Sequence, residues 1–329
     1  MQMKTVVITQ PGGPEVLQLQ DRPTPEPVAD QVRVKVLFAG LNRADVMQRR
    51  GHYPAPPGVV ADIPGLEIMG VIDAVGPQTT RWKTGQRVFG ILGGGGYAEY
   101  AITHERLLAP VPDELSDEAA AAVPEAWMTA HDALFSQAEL KMGERVLIHA
   151  AGSGVGTAAI QLAHAAGAQT FGTARSPQKL IRAQELGLDV ALAAEEFAAV
   201  VREATHDEGV QVLIDFVGAP YFAQNLEALA VGGRLVQVGT MGGNRAEIDL
   251  GILMRKRLQL FGTVLRARSL EEKALVTRRF ENHVVPLLAK GQVQPIVDRV
   301  FALHEAAQAH EYMENNSNFG KVLLRCAEV

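Results

Sequence analysis

The residues best suited to chemistry stand between positions 149 and 159, where the chain reads His149-Ala150-Ala151-Gly152-Ser153-Gly154-Val155-Gly156-Thr157-Ala158-Ala159. The apolar run Val146-Leu147-Ile148 leads into this stretch, and an alanine-rich apolar run from Thr157 to Ala166 follows it. Small residues between a strand and a helix let the backbone turn sharply and approach a pyrophosphate. The anionic charge then lies on free N–H groups at the positive end of the helix. A glycine-rich string alone is equally a plain tight turn; the strand before it and the helix after it favour the nucleotide. Aligned on Val155-Gly156, the pattern is Ala151-x-Ser153-x-x-Gly156, a small-residue variant of G-x-G-x-x-G. Ser153, Gly154, Val155 and Gly156 are the candidate pyrophosphate cradle.

Cofactor choice is written at the end of the next strand. A site for NAD carries an acid about 20 residues downstream, which bonds the ribose 2′-hydroxyl and repels a 2′-phosphate. Here that position is Ala174, followed by Arg175, Ser176 and Lys179: no carboxylate, and two cations where a dianion would sit. Each charge-assisted contact contributes about 1.5–3 kcal/mol, so one alone shifts preference by about tenfold or more. As solvated charges at a helix start, the pair would carry no such meaning. Together with the missing acid they specify NADPH over NADH.

The elements that must position these groups fall into two textures. The first third is dense in Pro and Gly, and residues 32–38 alternate apolar with polar at the period of a half-buried strand. Turn signals recur at Gly12-Gly13-Pro14, Pro54 to Gly58, Gly76-Pro77 and Gly93 to Gly96. They predict a compact β-barrel-like domain, with Gly93 to Gly96 as a flexible turn. Near residue 122 the pattern becomes alternating strand and helix, the signature of a parallel sheet with crossover helices. Strands are expected at Val146 to His149, Gln169 to Thr173, Val210 to Phe216, Arg234 to Val238 and Leu258 to Leu265. Gly167 is expected to end one helix, and Ser176-Pro177 to start another that stops at Gly187. After about residue 262 the texture is mixed, as for a segment returning to the first domain.

The chain has 329 residues, 47% of them hydrophobic and 21% charged, with a net charge of −6, which favours neither a nucleic acid nor an anionic membrane as partner. The lone Cys326 cannot form an internal disulfide. The start, MQMKTVVITQPGGPEVLQ, breaks its apolar run within a few residues, as neither a signal peptide nor a membrane span would. A cytoplasmic protein is expected.

Longer segments carry a resemblance: GLNRADVMQRRGHYPAPPG at 40–58, PGLEIMGVIDAVG at 64–76, VPEAWMTAHDAL at 123–134, HAAGSGVGTAAIQLA at 149–163, VGTMGG at 238–243 and NNSNFGKVLL at 315–324. Through them the chain resembles the quinone oxidoreductase branch of the medium-chain dehydrogenase/reductase superfamily. It is most similar to the NADPH quinone oxidoreductase subgroup induced by a tumour-suppressor transcription factor. The resemblance implies an α/β protein: a GroES-like, β-rich catalytic domain (1–122 and 263–329) with an inserted Rossmann domain, a doubly wound parallel sheet (123–262). It also implies a cleft between the two, and a homodimer joined through Rossmann edge strands near Leu258 to Leu265. The implied reaction is hydride transfer from NADPH to a quinone, by one- or two-electron outcomes.

Zinc alcohol dehydrogenases of this fold place a cysteine at the position of Asn42 and a histidine at that of Leu66, and add four cysteines for a structural zinc. A catalytic zinc needs about three Cys, His or carboxylate ligands, and the expectation here is no metal. The resemblance puts Asn42, Tyr53 and Thr129 around the nicotinamide and acceptor. Asn42 could hold a carbonyl or the carboxamide, and Tyr53 could donate a hydrogen bond and stack. Either Tyr53 or Thr129 could instead be a structural anchor. The resemblance adds Val238, Gly239, Met241 and Gly242 under the nicotinamide ring. Leu265 ends the last Rossmann strand and Arg266 lies just past it, where the family approaches the cofactor, and Asn318 and Lys321 belong to a tail segment reaching back to the nucleotide. Asp45 matches an acid common in the fold and reads as structural. Two departures stand out: Met47 and Ala194 occupy positions where many quinone oxidoreductases carry tyrosine, the second of them near the 2′-phosphate. Two further functions stay open, an NADPH-dependent alkenal or enone reductase and a non-catalytic crystallin-like or RNA-binding protein.

Overall fold

The computed structural model describes residues 1–327, which form two compact units. One comprises Met1–Met128 with the chain from Leu265 onward, the other Thr129–Val264. The helix Pro124–His131 contains the first junction.

In the first unit, β1 (Gln2–Ile8) and β2 (Leu17–Pro23) form an antiparallel pair. The larger sheet is built from β3 (Gln31–Gly40), β4 (Glu67–Val75), β5 (Arg87–Ile91), β6 (Tyr100–His104) and β7 (Leu108–Pro110). The second unit then contributes β8 (Arg145–Ile148), β9 (Gln169–Ala174), β10 (Val190–Ala193), β11 (Val210–Asp215), β12 (Leu229–Gln237) and β13 (Gln259–Gly262). The returning tail adds β14 (Val297–Ala302) and β15 (Lys321–Arg325) to the first sheet. Its order is β14-β15-β3-β4-β5-β7, with β6 also on β3.

Strand β3 explains the texture of the first third. Its alternating half, Gln31 to Lys35, shows every second residue buried, and its second half, Val36 to Gly40, is buried throughout. The strand is shared by β4, β6 and β15, so no edge of it faces water. Val32, Val34, Val36, Ile68, Val88, Leu108 and Val322 make the core. The Gly93–Gly96 run, expected to be flexible, is instead tied down: Gly95 N–H donates to Ile63 O at 2.8 Å and Gly96 N–H to Gly65 O at 3.1 Å. Backbone pairing, invisible in a string of glycines, holds it.

The second unit is a six-stranded parallel sheet in the order β10-β9-β8-β11-β12-β13. Numbered within the unit this is 3-2-1-4-5-6, the doubly wound dinucleotide-binding order, whose direction reverses between β8 and β11. Both faces are covered, so the strands read as unbroken apolar runs: Val146, Leu147 and Ile148 are wholly buried. The expected strand at Leu258 to Leu265 is shorter, Gln259–Gly262, and β12 starts earlier than expected, at Leu229. No helix among the described residues is long and apolar enough to cross a membrane.

Candidate functional site

In the second unit the candidate cofactor residues gather at the carboxyl ends of the parallel strands. Ser153 caps the helix Gly154–Ala165, its hydroxyl accepting the Gly156 N–H at 2.9 Å. By helix geometry the N–H groups of Gly154 and Val155 then have no intrahelical acceptor and are available to an anion. A Cβ at Gly156 would lie 2.3 Å from Ala150 O, so only glycine lets the helix pack against the turn. Ala150 takes a left-handed φ of 49° there, backbone strain of the kind that collects at ligand sites. Below the turn, His149 is fully buried, with Nδ1 paired to Thr173 Oγ1 at 2.8 Å and Nε2 to Asn225 Oδ1 at 2.7 Å. The amide oxygen makes Nε2 the donor, and burial lowers the imidazole pKa, so the ring is neutral. Asn225 Nδ2 in turn donates to Asp215 Oδ2 at 2.9 Å, which locks the ends of β8, β9 and β11 together.

Arg175 is exposed just past β9, with Lys179 in the first turn of the helix Pro177–Gln184. Ser176 stands at the N-cap position as expected, but its hydroxyl bonds the Gln178 side chain at 2.9 Å and caps nothing. Tyr221, which the sequence reading did not nominate, is within electrostatic reach of Arg175. Burial and then Glu195 raise its phenol pKa, and Arg175 opposes them. It packs edge-on to His149 with centroids 4.8 Å apart. Ala194 is buried. Val238 and Gly239 follow β12, both N–H groups directed to Asp215 O, while Met241 and Gly242 donate to Phe216 O and Val217 O. Met241 is 55% exposed. Thr129 is buried in the helix Pro124–His131.

In the first unit a buried polar network surrounds Asn42. Strand β15 pairs with β3 so that Leu323 faces Gly40. Two residues further on each side, Lys321 therefore lies across from Asn42. The Lys321 ammonium, 5% exposed, donates to Leu41 O at 2.7 Å, to Asn42 Oδ1 at 2.8 Å and to Glu67 Oε1. Asn42 Nδ2 donates to the same Glu67 oxygen at 2.9 Å. Glu67 is fully enclosed, and a Cβ on Gly40 would meet its Oε1 at 2.2 Å, so glycine there makes room for the carboxylate. Its other oxygen, Oε2, accepts the Glu125 N–H at 2.8 Å.

Asp45 closes a capping box on the helix Arg43–Arg49, accepting the Asn42 N–H at 2.8 Å, and also takes the Gly65 N–H at 3.0 Å. Burial pushes its pKa up to about 6 against those hydrogen bonds. A donor chain runs away from it. Tyr97 OH donates to Asp45 at 3.3 Å, and His310 Nε2 meets Tyr97 OH at 3.1 Å. Arg49 Nη1 reaches His310 Nδ1 at 3.3 Å, and Arg49 pairs Glu314 through both its terminal nitrogens. Arginine can only donate, so His310 carries its proton on Nε2; burial, then Arg49, lower its pKa to about 3. Arg266 is buried, its guanidinium bonded to Gly93 O at 2.7 Å, Tyr53 O at 3.0 Å and Gln48 Oε1 at 2.6 Å, and it lies 5.0 Å over the Tyr53 ring.

Comparison with known proteins places this geometry. A family profile described as an alcohol dehydrogenase GroES-like domain matches residues 28–113, and one described as a zinc-binding dehydrogenase matches 154–281. A Pseudomonas aeruginosa protein named quinone oxidoreductase is 35% identical over 95% of this chain and 96% of its own length. The chain belongs to the quinone oxidoreductase-like medium-chain dehydrogenase/reductases. Among solved members of this superfamily, an NAD-dependent alcohol dehydrogenase is 33% identical with a TM-score of 0.89, covering 99% of this chain and 100% of its own. A mycobacterial protein complexed with NADPH is 30% identical, also with a TM-score of 0.89, covering 98% of this chain and 99% of its own.

For a medium-chain reductase, several site residues expected from sequence have unexpected partners. Lys321 and Asn318 are expected near the nucleotide; in the structure Lys321 is buried with all three N–H donors engaged, and Asn318 Nδ2 closes a turn on Gly320 O at 2.8 Å. Arg266 clamps the Tyr53 loop to the Gly93 turn, and Leu265 is buried beside it in sequence. Glu67, Glu125, Tyr97 and His310 were not nominated, although all four join the network around Asn42 and Asp45. The EIMGVIDAV run held a signal: a carboxylate at the head of a buried strand requires a partner cation. Among the described residues, no group of three or more His, Cys, Asp and Glu side chains is placed to hold a metal ion.

Proposed function

We propose that this protein is a zinc-free reductase that uses NADPH to reduce quinones, with Asn42 and Tyr53 addressing the acceptor. The observation that carries the reading is the Lys321 ammonium, bonded to Leu41 O, Asn42 Oδ1 and Glu67. It puts a positive charge among the oxygen donors next to the two positions where zinc enzymes of this fold keep ligands. A divalent ion there would face an ammonium, an amide and the apolar Leu66. Without a Lewis acid an alkoxide has no stabilising partner, whereas a quinone is already electrophilic. The quinone oxidoreductase relative supports that acceptor class.

The second unit fits a dinucleotide: the Gly156 position would not accept a Cβ, and two cations follow β9 where NAD sites keep an acid. When bound, the dihydronicotinamide supplies the hydride. Ser153, Gly154, Val155 and Gly156 hold its pyrophosphate, Arg175 and Lys179 favour its 2′-phosphate, and Val238 to Gly242 with Thr129 line its ring. The relatives differ on cofactor, one NAD-dependent and one complexed with NADPH; the cations decide for NADPH in this reading. A homodimer through β13 is part of it, since that edge strand presents Leu260, 38% exposed.

The test is an absorbance assay at the nicotinamide band against benzoquinones, naphthoquinones and enones, with NADPH and NADH, with and without chelator. Quinone-dependent oxidation that prefers NADPH and ignores the chelator is expected. Turnover of enones alone would reassign the substrate. NADPH binding with silence across the panel would make this a binding protein.

A further inference from the structure

Among the described residues, the strong charges that hold Asn42 in place are partnered. Glu67 gives Oε1 to Asn42 Nδ2 and the Lys321 ammonium and Oε2 to the Glu125 N–H. Arg266 is bonded to three oxygens. The side chain of Glu125, at the start of the helix Pro124–His131, differs from them. Among the described residues nothing donates a hydrogen bond to its carboxyl, and the residue is half-buried where Glu67 is enclosed. It is thus fixed by its backbone to the network that holds Asn42 while its acid group accepts no hydrogen bond.

The charged and titratable groups facing it are Glu67 and Asp45, which repel its anion, Lys321, Arg266 and Lys273, which attract it, and Tyr53. Lys321 and Arg266 are engaged by other oxygens. Burial, followed by Glu67, outweighs the attraction and raises the carboxyl to about 8, so it carries its proton at neutral pH. The Tyr53 phenol is pushed up by burial and by Glu125, which puts this acid within electrostatic reach of the aromatic residue assigned to the acceptor.

We propose that Glu125 is the proton donor to the reduced acceptor, an assignment that rests on the reductase function above. The acceptor takes a hydride from the dihydronicotinamide, its conjugated π bond breaks, and an oxyanion or enolate results. The Glu125 O–H bond then breaks as its proton forms the new O–H or C–H bond. A carboxylate is left, which takes up a proton from water to restore the acid. Hydride plus proton account for the two electrons and two hydrogens gained by the acceptor. A hydroquinone oxygen is a weak base and needs this acid little; the carbon of an enolate needs it much more. The donor therefore extends the substrate class from quinones to enones.

The test is Glu125→Gln, with Glu125→Asp as the conservative control. Wild-type kcat/KM on an enone should fall as pH rises through about 8, the acid being lost. In Glu125→Gln that limb should vanish and kcat on the enone should drop by about a hundredfold or more, with a smaller loss on a benzoquinone and unchanged NADPH affinity by fluorescence titration. Glu125→Asp should restore part of the rate. An unaltered pH profile, or equal losses on both acceptors, overturns the assignment alone. A wild type that binds NADPH but oxidises it with no acceptor overturns the reductase function, and the acid role falls with it.

Discussion

Lys321→Met removes a cation and keeps most of its volume, leaving the Glu67 carboxylate, with no exposed surface, facing only the Asn42 amide and the Glu125 N–H. Breaking a buried pair by deleting one partner costs about 3–5 kcal/mol, because the other charge stays desolvated. That is a large share of a total stability of about 5–15 kcal/mol. The deficit comes from a buried carboxylate charge left without its cation, so removing that charge as well should relieve it. The assay is urea unfolding followed by tryptophan fluorescence. The two tryptophans, Trp82 and Trp127, are both buried in the unit that contains the pair. A fall in midpoint of about 1 M or more is expected at neutral pH, and adding Glu67→Gln to Lys321→Met should recover at least half of it. A single variant within about 1 kcal/mol of wild type, or a double variant no better than the single, would refute the reasoning.

Arg175→Ala should weaken NADPH binding by about tenfold or more and leave NADH unchanged; nicotinamide fluorescence titrations in which the two ratios move together would remove the 2′-phosphate argument. Gly156→Ala brings a Cβ to 2.3 Å from Ala150 O, so the turn must shift. A loss of about 2 kcal/mol or more in a circular dichroism melt and abolished NADPH binding are expected, and wild-type affinity would contradict the cradle. His310 is held neutral in the fold, its pKa lowered to about 3, while an unfolded histidine titrates near 6.5. The unfolded state thus takes up a proton that the folded state refuses, and stability is lost as pH falls from about 6.5 toward 3, by at most about 5 kcal/mol. His310→Gln should flatten that decline in urea midpoints measured across the window, whatever its cost at neutral pH; an equally steep decline would show that other groups govern acid sensitivity.

The short strand β10, Val190–Ala193, shows one limit of reading this chain by pattern. Four residues in an alanine-rich stretch give neither periodicity nor β-branched enrichment, and only pairing with β9 makes them a strand. The π-helical turn Asp132–Gln137 and the early start of β12 were illegible for the same reason. The Gly93–Gly96 run misleads in the opposite sense: its composition suggests freedom, and its partners at Ile63 and Gly65 remove it.

The parallel-sheet half was open to sequence reading because its determinants are local. Continuous apolar strands, a serine cap and a glycine that must touch a carbonyl all lie within a dozen residues of one another, and so do Arg175 and Lys179. The polar network around Asn42 was not. Glu67 comes from β4, Lys321 from β15, Glu125 from a helix start and His310 from the returning tail, and their meeting depends on the Leu323–Gly40 register and on strand order. Charge alone marks such residues as ordinary solvated side chains. Sequence determined the architecture and the serine-capped turn after β8. Tertiary structure decided which buried charges are neutralised by a partner and which carboxyl keeps its proton, because desolvation and pairing are properties of neighbours far apart in the chain.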